Sequence, residues 1–82
     1  MGDDMTTIEM FKTPECGRCP DVIDLLEEIA SDHDDVELEI VDAQDERLRA
    51  LSNDVFSVPT VVIDGETKLT GLPTREAVVS EL

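Results

Sequence analysis

"TIEMFKTPECGRCPDVIDLLEEI", residues 7–29, decides how this chain is read. Its opening alternates Ile8 and Met10 with Thr7 and Glu9 and then adds Phe11, the period of a strand with one covered face. That strand starts at Thr6 and ends near Thr13 and Pro14. The closing part sets Val22, Leu25, Leu26 and Ile29 at i, i+3, i+4, i+7, which predicts an amphipathic helix over residues 21–35. Asp21 and Asp24 near its start suit the positive end of the helix dipole. Between strand and helix lie Cys16 and Cys19, both cysteines of the chain.

Outward from this unit, "DVELEIVDA" (35–43) sets Val36, Leu38 and Ile40 against Glu37 and Glu39, a second strand. "AQDERLRALSNDV" (43–55) predicts a short helix burying Leu48, Leu51 and Val55. Val61, Val62 and Ile63 form an unbroken apolar run, the mark of a strand covered on both faces. Asp64-Gly65 signals a tight hairpin, with Thr67 to Thr70 as the returning strand. Gly71 and Pro73 break the chain, and Thr74 can cap a last helix carrying Ala77, Val78 and Leu82. The order β-α-β-α-β-β-α, opening on a right-handed parallel crossover, predicts an α/β fold: a four-stranded mixed sheet with helices on both faces. The 82 residues are expected to form one domain with residues 1–5 flexible.

Composition narrows the function. No apolar run nears the roughly 18 residues of a membrane span, and no signal-peptide pattern is seen, so a soluble cytoplasmic monomer is expected. "MGDDMT" fits an N-myristoylation pattern, but two aspartates and no basic patch make it a chance match. There are 21 acidic residues against 6 basic, a net charge of −15, spread along the whole length. Such a surface has no positive stripe for nucleic acid. It suits an acidic docking face for basic partners or, the preferred reading, a chain kept soluble in concentrated salt. The only aromatics are Phe11 and Phe56, so the core is aliphatic.

Two thiols three positions apart could staple, bind metal or react. A staple here closes a four-residue loop and contributes only about 2 kcal/mol. A structural zinc site wants four ligands; one chain offers two thiols and the single His33, which is expected to sit exposed at a helix C-terminus. A dimer could pool thiolates, so a metal-binding or metal-delivery module stays open. Redox chemistry fits the position best. Cys16 would lie at or just before the helix N-terminus, where free N–H groups and the dipole favour thiolate over thiol and lower its pKa. Gly17 would let amides approach the sulfur, Arg18 would add a cation, and Pro20 would remove an N–H from the first turn.

A second motif, "SVPTVV" (57–62), stands some 40 residues later, and the chain closes with "GLPTREAVVSEL". Together with the Cys-x-x-Cys-Pro these resemble the thioredoxin/glutaredoxin superfamily, most of all small archaeal thioredoxins of glutaredoxin-like length. The resemblance spans Thr7 to Leu82. It implies a dithiol–disulfide oxidoreductase in which Cys16 attacks and Cys19 resolves, with no metal and no cofactor beyond the redox-active pair. It also implies a cis Pro59 opposite the cysteines, with Val58, Pro59 and Thr60 meeting a substrate strand. Partners would be protein disulfides and a thioredoxin-reductase-like flavoenzyme, or glutathione if the chain works as a glutaredoxin. The departures matter. Glu15 and Arg18 replace the tryptophan and proline of typical thioredoxins, and Met10 stands where they bury an aspartate, leaving solvent or Lys12 to take the Cys19 proton. The late segment Gly71-Leu72-Pro73-Thr74 lacks the acid that would hold the glutathione amine.

Overall fold

A computed structural model describes residues 5–82. The N-terminal expectations, a flexible start and a chance acylation motif, otherwise fall on residues 1–4, outside the described residues. Strand β1 (Thr6–Lys12) leads through the cysteine loop to helix α1 (Cys19–Asp32). Strand β2 (Val36–Asp42), helix α2 (Arg47–Ser52), strands β3 (Thr60–Ile63) and β4 (Thr67–Thr70) and helix α3 (Arg75–Val79) follow. The sheet order is β2-β1-β3-β4. β1 runs parallel to β2 and antiparallel to β3, and β3 runs antiparallel to β4. The mixed four-stranded sheet read from the sequence is therefore the one observed.

Period-2 patterning splits the core in two. Ile8, Met10, Val61 and Ile63 face α1 and α3, where Val22, Leu26, Ile29 and Val78 cover them. Phe11, Val41 and Val62 face the other way, onto Ala50 and Val55 around α2. All four residues of β3 are buried, as its unbroken apolar run requires. Asp64 and Gly65 both have positive φ (54° and 71°), the conformation of a type I′ turn, and the Glu66 N–H closes it onto the Ile63 carbonyl at 3.1 Å. The Asp64 carboxylate also accepts the Thr7 N–H at 2.9 Å, tying the hairpin to the start of β1. Thr74 caps α3 as expected, its hydroxyl accepting from the Ala77 N–H at 3.1 Å.

The structure corrects several element-level expectations. α1 begins at Cys19 rather than residue 21 and ends at Asp32. α2 does not bury Leu48 or Leu51; both are exposed, Leu48 by 80%, and Ala50 faces the sheet instead. The two leucines have helical spacing, but the small Ala50 lets this six-residue helix lie close over Phe11. Ile40 is also partly exposed, because β2 is an edge strand, while Val41 is buried on the opposite face. α3 stops at Val79, leaving Leu82 beyond it and partly exposed. His33 is only half exposed: its Nδ1–H donates to the Ile29 carbonyl at 2.9 Å, closing the α1 C-terminus.

Candidate active site

The register of the central strands assembles the site. Phe11 at the end of β1 pairs with Thr60 at the start of β3. The segment after β1, with both cysteines, therefore meets the segment before β3, with Val58 and Pro59, at one end of the sheet. Cys16 and Val58 pack against the same buried cluster.

Cys16 and Cys19 are joined as a disulfide with their Cα atoms 5.4 Å apart. The pair is asymmetric. Cys19 is the first residue of α1 and 2% exposed, whereas Cys16 is only partly buried. Cys16 lies three residues ahead of the helix, further out than the sequence suggested, because Arg18 is the N-cap. Its sulfur is nonetheless held at the helix end. The Cys19 N–H donates to the Cys16 Sγ at 3.1 Å, and the Arg18 side chain makes no capping bond. The sulfur thus takes the N–H of the first helical residue, one of the four donors left unpaired at a helix start. A thiolate there gains a charge-assisted hydrogen bond and the favourable end of the dipole, both of which favour it over the thiol.

Around the pair, Gly17, Arg18 and Pro20 are exposed. Gly17 has neither a positive φ nor any atom within 4 Å of where a Cβ would stand, so no close approach inside the chain demands glycine. Pro20 is the second helical residue, where its missing N–H costs nothing, since that donor lies in the unpaired first turn.

In the segment before β3, the Val58–Pro59 peptide bond is cis. Pro59 and Thr60 are buried and fixed from both sides: the Thr60 hydroxyl donates to the Ser57 carbonyl at 2.7 Å, and the Gly71 N–H donates to the Pro59 carbonyl at 3.1 Å. Val58 lies outside β3, and among the described residues neither its N–H nor its carbonyl has an internal hydrogen-bond partner. Beside it opens an apolar groove of about 280 Å³, running from Thr13 past Ala43 and Ala50 to Leu51, Phe56 and Val58, with Arg47 on its α2 wall. The Thr13 carbonyl accepts the Cys16 N–H at 3.2 Å, so the groove starts next to the dithiol.

A model of the thioredoxin domain family matches residues 6–82. The chain belongs to the thioredoxin family. A thioredoxin from Methanocaldococcus jannaschii is 36% identical over 76 residues, 92% of this chain and 89% of that one. Among solved structures, a point mutant of a thioredoxin from Halobacterium salinarum NRC-1 superposes with a TM-score of 0.85 at 25% identity, covering 96% of this chain and 73% of that one. A domain of the alkylhydroperoxide reductase AhpF of Enterococcus faecalis gives a TM-score of 0.87 at 33% identity, over 95% of this chain and 38% of that longer one. A member of this family with a Cys16–Cys19 disulfide is a thiol–disulfide oxidoreductase.

Two features of this family member escaped the sequence reading. One is the groove, whose lining comes from widely separated segments. The other is Arg49. Glu9 and Glu39 are directly opposed in the parallel β1–β2 ladder, a like-charge pair that destabilises a sheet on its own. Arg49 reaches over from α2 and resolves it, binding Glu9 at 2.7 Å and Glu39 at 2.6 Å, with Glu46 at 3.4 Å. These bonds hold the Glu39 carboxyl below its ordinary pKa, chiefly through the hydrogen bond from Arg49, and push the guanidinium pKa up. A signal was present: Glu9 shares the face of Phe11, where a bare carboxylate demands a cation. With Glu9 committed to Arg49 on the α2 face, it is separated by the sheet from Cys19 in the α1 cluster. Lys12 is held by Asp42 at 3.8 Å. Among the described residues no three His, Cys, Asp or Glu side chains gather into a metal-holding group.

Proposed function

We propose that this chain, as a single domain, reduces disulfides of other proteins by a dithiol cycle in which Cys16 attacks and Cys19 resolves. The observation that carries the division of labour is the asymmetry of the pair. Cys16 is reachable and takes the helix-end N–H, while Cys19 is buried. The Cys16 thiolate attacks one sulfur of the substrate disulfide. That bond breaks, the departing substrate thiolate takes a proton from water, and a mixed disulfide remains. Cys19 gives up its proton to solvent and attacks the Cys16 sulfur, releasing the second substrate thiolate. Two electrons have passed to the substrate, and Cys16–Cys19 is again a disulfide. A dithiol reductant, in our reading a thioredoxin-reductase-like flavoenzyme, restores the pair. Gly17, Arg18 and Pro20 form the loop around the attacking sulfur, and Arg18 favours the thiolate. Pro59 and Thr60, fixed at the start of β3, hold Val58 in place, and the free N–H and carbonyl of Val58 give the substrate chain an edge to pair with.

Protein rather than glutathione is the preferred substrate. Support comes from the apolar groove that starts beside Cys16 and, at low ionic strength, from a −15 surface that repels an anionic tripeptide. No described helix is long and apolar enough to cross a membrane, and we place the chain as a monomer in a salt-rich cytoplasm on its acidic surface. The test is turbidimetric reduction of insulin with dithiothreitol, combined with intact-mass analysis. Cys16→Ser is expected to lose activity by at least about 10³-fold, and Cys19→Ser to accumulate a mixed disulfide. Stoichiometric metal in protein purified without reductant, with turnover indifferent to Cys16→Ser, would overturn the reading in favour of a metal module.

A further inference from the structure

The six basic side chains are not used alike. Lys12 is paired with Asp42, Arg49 with Glu9, Glu39 and Glu46, and Arg75 with Glu28 and Asp32. Lys68 donates to the Asp54 carbonyl at 2.9 Å. Only Arg18 and Arg47 have no carboxylate or carbonyl partner among the described residues, although the chain carries 21 acidic groups. Both are exposed, and both border the candidate site: Arg18 lies between the cysteines and Arg47 on the groove wall. A guanidinium is a rigid fork of donors shaped for a carboxylate. Asp45 and Glu46 stand next to Arg47 in the chain, yet neither engages it.

We propose that Arg47 is a specificity residue that reads a carboxylate in the substrate: the partner's disulfide-bearing segment lies extended in the groove with an Asp or Glu a few residues from the cysteine under attack. This rests on the reductase reading above and goes beyond it by naming the partner's chemistry. The groove supplies non-specific apolar contact through Val55, Phe56 and Val58, which any aliphatic segment can use. The arginine adds a position-dependent preference. The overall charge works against it, because an acidic segment approaching a −15 surface is repelled over long range. At about 1 M salt the screening length falls to about 3 Å, which removes that long-range repulsion while a pair in direct contact, no further apart than that length, keeps part of its attraction. The preference therefore emerges most clearly in concentrated salt.

The experiment compares second-order rate constants for reduction of synthetic disulfide peptides by the dithiol form, in molar potassium chloride. A single glutamate is moved through the positions either side of the cysteine, with glutamine and lysine peptides as controls. The wild type is expected to favour glutamate over glutamine by about twofold to fivefold at one or two positions only. In Arg47→Gln that optimum disappears, in Arg47→Lys part of it survives, and in Arg47→Glu the lysine peptide becomes the better substrate at the same positions. The gain in the last variant is something a misfolded protein cannot give. A flat profile in the wild type, or an optimum unchanged in Arg47→Gln, would overturn the assignment while leaving the reductase reading intact. No reduction of any peptide would overturn both.

Discussion

Gly17 separates what the fold needs from what a partner needs. With open space where its Cβ would stand and no left-handed backbone, alanine fits there without strain. Gly17→Ala is expected to leave thermal stability unchanged or to raise it by about 0.4–1 kcal/mol, by restricting the unfolded chain. If glycine is there to let a substrate backbone settle over Cys16, the same variant slows insulin reduction without moving the melting temperature. Calorimetry and turbidity on one sample distinguish the two. A melting temperature that drops by many degrees would show instead that the loop has a constraint the structure does not contain. The neighbouring sulfur follows the same logic. Its one internal hydrogen bond comes from the backbone of a helix that begins three residues later, so no side-chain substitution nearby removes that contact.

Among the elements, α2 is held to the sheet by Ala50, Val55 and one arginine. Glu9 is the least exposed member of that ion cluster, at 16%, so Arg49→Ala leaves a nearly covered carboxylate unpaired beside Glu39. The expected cost is about 1–3 kcal/mol, read by chemical denaturation at neutral pH. The sign of its pH dependence follows from Glu39. Arg49 lowers that carboxyl's pKa in the folded state, so the folded protein binds this proton less readily than the unfolded chain. The contribution is complete above the ordinary carboxylate value and is lost as pH falls through the lower folded one. Wild type and Arg49→Ala are therefore expected to converge in stability towards acid; a constant gap down to about pH 3, below the ordinary carboxylate range, would contradict it. This cluster also shows where sequence reading stops. β1, β3 and the Asp64-Gly65 hairpin were legible because alternation, an unbroken apolar run and left-handed turn residues are local signals, as were the Thr74 cap and the Cys-x-x-Cys-Pro. The buried face of α2 was misread from Leu48 and Leu51 because their spacing is correct for a helix, and only contact with Phe11 and Glu9 selects Ala50 and Arg49. The groove was invisible for the same reason: Thr13, Ala43 and Phe56 meet only through the tertiary fold.

For the molecule as a whole, net charge dominates. Among the described residues most carboxylates have no ion-pair partner, so concentrated salt relieves more repulsion than it removes attraction from the few exposed arginine pairs. The melting temperature is expected to rise by about 5 °C or more between low and molar potassium chloride, the shift that roughly 1 kcal/mol produces in a domain of this size. A flat response would remove the salt-adapted reading. The same charges act on the border of the sheet. β2 is its outermost parallel strand, with Glu37 and Glu39 exposed along it. A strand from a second copy adding there would bring carboxylate against carboxylate at close spacing, at an edge that would otherwise template fibres. Ionised, that border repels its own kind; acid would withdraw that protection.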